Sequence, residues 1–124
     1  MQNALVLLGL TATAVITAPV SVAEPPSCDG PSCTPGIVGD VALGAPCDDT
    51  SYYVFGTTSW GRLVFCGSPR RYAPRYFRAP TMDGIKVEGA TCEGKEFHVA
   101  QGPDGLFLIC VATNGVTSWQ RGDT

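Results

Sequence analysis

Apolar and polar positions along the chain fall into three regimes. The first is an apolar stretch from Ala4 to Ile16, interrupted only by Gly9 and threonines and closed off by Pro19. Residues 1–23 carry no charged side chain, and Ser21-Val22-Ala23 puts small residues where a signal peptidase reads them. Residues 1–23 are therefore expected to be a cleaved export signal. About 20 apolar residues are also long enough to span a bilayer, so retention as an anchor is the competing expectation. The second regime, residues 24–43, is rich in Pro, Ser and Gly and shows no period. It reads as a linker that carries the short loop Cys28-Asp29-Gly30-Pro31-Ser32-Cys33, with a brief edge strand over Ile37 to Leu43.

The third regime, residues 44–124, consists of apolar runs of strand length separated by glycine-containing turns. Tyr52-Tyr53-Val54-Phe55 is a run of β-formers, and Leu63-Val64-Phe65-Cys66 returns as its partner after a turn ending at Gly61. Phe97 to Val99 and Leu106 to Cys110 repeat this arrangement around Gly102-Pro103-Asp104-Gly105, whose Pro and Asp suit a type I turn closed by a left-handed Gly. Asn114-Gly115 is the signature of a two-residue hairpin loop. A tight loop there makes Thr113 face Val116 and, counting outward, Cys110 face Trp119. Residues Leu106 to Cys110 are apolar on both faces and are expected in the middle of a sheet. No stretch after the leader shows apolar spacing at 3.6 residues, so little helix is expected.

The two halves of this region are copies of one another. Gly44-Ala45-Pro46-Cys47 corresponds to Gly89-Ala90-Thr91-Cys92, and Tyr76-Phe77-Arg78 to Trp119-Gln120-Arg121. From cysteine to cysteine the first copy spans 19 positions and the second 18. The repeats are bounded at 44–80 and 89–121, with Thr81 to Glu88 as connector and Asp83-Gly84 as its turn. The expected fold is all-β: two tandem three-stranded meander units, disulfide-stapled, packed as a small sandwich or closed as one barrel.

Composition sharpens this reading. About 100 residues remain after cleavage, enough for one small domain, and all six cysteines lie in them. An exported chain meets an oxidising environment, so disulfides are expected. The repeat selects Cys47 with Cys66 and Cys92 with Cys110, which leaves Cys28 with Cys33. Each of the larger loops should contribute roughly 3 kcal/mol on the chain-entropy account. No cofactor is expected. A metal site would need more thiolates or histidines than His98, the only histidine, can supply.

The formal net charge of −3 argues against a general nucleic-acid binder. Charge is unevenly placed, however: Gly67 to Pro80 holds Arg70, Arg71, Arg75 and Arg78 and no acid. Pro69 and Pro74 exclude a helix there, so the stretch should be a loop running into an edge strand. Arginine forks suit phosphate and carboxylate, and tyrosine adds contact area at low entropic cost. Arg70, Arg71, Tyr72 and Arg75 are the binding candidates, together with Trp60, whose other reading is a lid over the core. The competing role for the arginines is to keep an edge strand from pairing. His98 is read as a surface histidine on the wetter face of a strand. A triad would need an activated Ser or Cys beside it, and no serine sits in a Gly-x-Ser-x-Gly elbow. Arg121-Gly122-Asp123 spells a tripeptide that some integrins read; its Arg already matches Arg78 in the other copy.

The Gly-x-x-Cys start, the Gly-led strand ending in Cys and the aromatic-x-Arg finish resemble small exported proteins of actinobacteria, particularly mycobacteria. That resemblance implies an extracytoplasmic location and brings no catalytic or binding residue with it. The leading expectation is a secreted or cell-wall-associated, non-enzymatic binding protein. It would contact an anionic envelope component or a protein partner through Arg70 to Arg78, with no membrane span once the signal is removed. The alternatives are a small extracytoplasmic hydrolase using His98 and a carboxylate, and a structural or host-facing protein with no localised site.

Overall fold

The computed structural model of the protein describes residues 27–123; the expected leader, residues 1–23, lies outside them. The described chain is all-β apart from two single 310 turns, Pro31–Cys33 and Pro69–Arg71. One antiparallel sheet is formed by β1 (Phe55–Thr57), β2 (Leu63–Gly67) and β3 (Arg75–Arg78), in that order. A second holds β4 (Met82–Ile85), β5 (Val99–Gln101), β6 (Phe107–Thr113) and β7 (Val116–Arg121), also in chain order. In this second sheet β4 lies parallel to β5, and the remaining pairs are antiparallel.

The two halves share one pattern of backbone hydrogen bonds. Gly44 N–H donates to Tyr76 O, Tyr76 N–H to Ala45 O, and Cys47 N–H to Pro74 O. In the second copy Gly89 N–H donates to Trp119 O, Trp119 N–H to Ala90 O, and Cys92 N–H to Thr117 O. Cys66 faces Tyr76 as Cys110 faces Trp119. The correspondence also reaches back beyond the cysteines. Val38 bridges Gly56 in parallel, and Val41 N–H donates to Thr57 O; Met82 pairs with Val99 in parallel, and Lys86 N–H donates to Gln101 O. Residues 38–47 thus bind the outer edge of β1 at one end and the outer edge of β3 at the other. The arginines of β3 therefore do not guard an open edge, because Gly44 to Cys47 already occupy it.

Three disulfides, Cys28–Cys33, Cys47–Cys66 and Cys92–Cys110, staple the chain, none of them joining one copy to the other. Cys92, Leu108, Cys110 and Trp119 are packed together in the core of the second copy, so the indole covers its own disulfide. A second cluster draws on both copies: Val54, Phe55 and Cys66 from the first pack with Met82, Val99 and Phe107. The Phe107 ring meets Phe55 edge-on at 5.7 Å and stacks on Phe65 at 5.4 Å. Backbone bonds from Tyr53 N–H to Gly105 O and from Phe107 N–H to Ser51 O tie the two copies along the same seam.

Four expectations need correction. Residues 28–36, expected to be a linker tied only by its short disulfide loop, are docked on the rest of the chain, while Val38 and Val41 take the edge position expected of Ile37 to Leu43. Ile85 N–H donates to Cys28 O, the Gln101 amide donates to Pro35 O, and Lys86 pairs with Asp29 at 2.7 Å. The connector 81–88 is not merely a turn, since its Met82–Ile85 is strand β4. The strands expected to begin at Tyr52 and Phe97 start later, because Tyr53 and Phe97 occupy equivalent left-handed positions, with φ of 51° and 70°. Trp60 is 66% exposed and covers no core. By contrast, Asn114 and Gly115 both have positive φ and form the tight hairpin loop, with Thr113 facing Val116.

Candidate functional site

The arginine-rich stretch is shaped by its prolines. Gly67 ends β2, and Pro69 fixes the first position of the 310 turn Pro69–Arg71. The Ser68 hydroxyl closes this turn by donating to Tyr72 O. Arg71 has φ of 65°, a left-handed position that reverses the chain into β3. Of the sequence candidates, Arg70 lies in the turn, and Arg71 and Tyr72 are exposed beside it. Arg75 serves the fold, because its Nη1 donates to Gly44 O at 3.0 Å and pins the 38–47 segment to β3. Trp60 stands on the separate turn between β1 and β2. The structure thus keeps Arg71 and Tyr72 exposed on the turn that also holds Arg70, assigns Arg75 to the fold and leaves Trp60 apart.

Beside this turn is a half-open groove of about 630 Å3, where the two copies meet. Its floor is aromatic. Phe65 from β2 lies 6.3 Å from Phe77 of β3, at a tilt of 45°, and stacks on Phe107 of β6 at 5.4 Å. Ser68, Pro69 and Arg78 form the wall on the arginine side. Glycines keep the rings bare. A Cβ on Gly67 would stand 3.0 Å from the Phe65 ring and 3.4 Å from that of Phe77; one on Gly122 would stand 2.6 Å from the Phe107 ring.

The opposite wall is made by Gly122 and Asp123. Arg121 Nη2 lies 3.0 Å from Asp123 Oδ2 and its Nε 3.2 Å from Oδ1, while the Ser51 hydroxyl donates to the same carboxylate. These partners, Arg121 first and Ser51 second, hold the Asp123 carboxyl below its ordinary value of 3.8. Arg121 and Asp123 therefore grip each other, and Gly122 is pressed to Phe107, which removes the tripeptide from use as an exposed recognition loop. Arg78 is exposed and makes no ion pair among the described residues. The groove joins an apolar floor, a neutralised carboxylate and one uncommitted guanidinium.

Sequence reasoning found the stretch but missed the groove. Phe65, Phe77 and Phe107 each read as ordinary strand residues, and what brings them together is contact between the copies, which no local pattern encodes. Gly67, which ends the apolar run Leu63 to Cys66 without a side chain, was the one local signal.

A second constellation lies near β4. His98 Nδ1 is 2.8 Å from Asp83 Oδ2, with the histidine half-buried and the aspartate buried. The reading of His98 as a free surface residue is thus corrected, since the parallel pairing of β4 with β5 carries Asp83 to it. Such a pair can orient an imidazole and shuttle a proton. All six cysteines are in disulfides, and no group of three or more His, Cys, Asp or Glu capable of holding a metal occurs among the described residues. Also among them, no helix is long and apolar enough to cross a membrane. Comparison of the chain with protein-family models, with curated proteins and with solved structures gave no match.

Proposed function

We propose that this protein is an exported, non-enzymatic binding module built of two small closed β units, whose contact surface is the Arg70 to Arg78 stretch and the groove beside it. Three disulfides, which extracellular proteins typically carry, support export. Closure of each unit is supported by the segments 38–47 and 82–92, which reach both outer edges of their own sheets. The observation that carries the binding reading is the position of the arginine stretch. Its turn and β3 form one wall of an aromatic groove and leave Arg71, Tyr72 and Arg78 exposed to a partner. An anionic component of the cell envelope is the partner that this charge selects.

The test is retention of the protein on cell-envelope fractions. Arg70→Ser with Arg71→Ser should abolish retention without lowering Tm, since the turn that holds both is closed by the Ser68 hydroxyl and by backbone bonds. Arg75 must be left intact, because it pins residues 38–47. Unchanged retention of the double variant would remove the reading.

One observation favours a second reading, a small hydrolase, namely the His98–Asp83 pair at 2.8 Å. Hydrolysis of an activated ester that disappears in a folded His98→Ala variant would support it; hydrolysis that persists in that variant would end it.

A further inference from the structure

We infer that the groove between the copies takes a monoanionic amphiphile: an apolar body lies on the Phe65, Phe77 and Phe107 rings, and its anionic head meets Arg78. The inference rests on the binding reading above and narrows it to a ligand class. Three features carry it. The volume, about 630 Å3, falls within the range of roughly 300–1,000 Å3 that holds small-molecule ligands. The floor is made of three phenylalanines and the walls include Pro69 and Pro80, so the body of the ligand meets mainly carbon, with Thr50, Ser68, Arg78 and Asp123 as the polar part of the lining. The polar groups are asymmetric. Asp123 is already engaged by Arg121 and Ser51 and does not repel an anion, whereas Arg78 has no acidic partner among the described residues.

That asymmetry fixes orientation and charge. A cation would find only a carboxylate that is already satisfied. A neutral ligand would leave the guanidinium without an anion. A single carboxylate or sulfonate at the end of an apolar body satisfies both. Gly67 is part of the device, because any side chain there would project between the Phe65 and Phe77 rings.

The probe is 1-anilinonaphthalene-8-sulfonate, titrated into the disulfide-bonded protein beside N-phenyl-1-naphthylamine, which has the same rings and no charge. The sulfonate should bind saturably at one site, while near-ultraviolet circular dichroism shows the native fold. Arg78→Gln should weaken the sulfonate about tenfold, as expected for one charge-assisted hydrogen bond, and leave the neutral probe unchanged. Phe77→Ser should weaken both. If Phe77→Ser fails to fold, Gly67→Val serves the same purpose by filling the floor. Displacement of the probe by dodecanoate or by 1-naphthoate supports the proposal and distinguishes an acyl from an aryl ligand. Displacement by neither, equal sulfonate affinity in Arg78→Gln, or full binding to a folded Phe77→Ser or Gly67→Val variant overturns it. Envelope retention by Arg70 and Arg71 is measured separately, so either result can fail while the other stands.

Discussion

His98 Nδ1 lies 2.8 Å from Asp83 Oδ2, and this contact clamps the start of β5 to β4, the one parallel strand pair between named strands. Asp83 is only 8% exposed, and burial of a carboxylate is tolerated where a donor meets it. Removing the donor should therefore be more harmful than removing the acid. His98→Ala is expected to destabilise the protein by about 2–3 kcal/mol, because the carboxylate stays buried without its partner. Asp83→Asn in the His98→Ala background should recover part of that loss. Urea denaturation of the two single variants and the double variant measures the coupling, and strictly additive losses would show that the pair does not act as a unit.

Groove stability should depend on acid pH through Asp123. Its carboxyl is held below the ordinary value of 3.8 by Arg121 and Ser51, so the folded state binds this proton less readily than the unfolded chain. The stabilisation is complete above 3.8 and is lost as pH falls through the lowered folded value. An acid titration followed by Tm should show this loss in the native protein. In Asp123→Asn the same part of the acid range should be flatter, with a lower plateau at neutral pH. An identical acid limb in the two proteins would assign the dependence to other carboxylates.

Much of the fold was legible because it is local. Asn114-Gly115 dictates a tight loop, and a tight loop dictates that Cys110 faces Trp119. Cysteine spacing, read through the duplication, gave all three disulfides. What was hidden depends on contacts distant in sequence. Met82-Asp83-Gly84-Ile85 does not look like a strand, since it has a buried acid and a glycine at φ of 85°. It becomes one because β5 offers a parallel edge and Cys28 covers the other side. Residues 28–35 read as a linker because two of their anchors are the backbone carbonyls of Cys28 and Pro35, which leave no mark on composition, and the third, Asp29, meets a lysine 57 residues away. The aromatic groove was hidden for a related reason: Phe107 belongs to one copy, while Phe65 and Phe77 belong to the other.

The staples should differ in worth. On the chain-entropy account, closing the loops of 19 and 18 residues contributes roughly 3 kcal/mol each, and the loop of 5 roughly 2 kcal/mol. Cys92 and Cys110 are also buried against Trp119, so replacing both by Ala opens space in the core as well. Cys92→Ala with Cys110→Ala is therefore expected to lower stability most and Cys28→Ala with Cys33→Ala least, as measured by Tm of the paired variants. A larger loss from the Cys28 and Cys33 pair would mean that this loop contributes more by covering β4 than by shortening the unfolded chain.

Gly84 and Gly89 offer a matched comparison of backbone strain with steric exclusion. Both have left-handed φ, at 85° and 89°. A Cβ on Gly89 would meet nothing within 4 Å, whereas one on Gly84 would collide with the Cys28 carbonyl and come within 2.7 Å of Gly30 N. Gly89→Ala should therefore cost about 1–2 kcal/mol, the penalty for an ordinary residue in the left-handed region. Gly84→Ala adds a clash with backbone, which cannot yield as a flexible side chain would. The N-terminal loop must then move away and release the bond from Ile85 N–H to Cys28 O. Hydrogen exchange separates the two effects: Gly84→Ala should lose protection at the Ile85 amide and Gly89→Ala should retain it. Equal protection and equal stability in the two variants would show that the Cys28–Cys33 loop does not hold β4 in place.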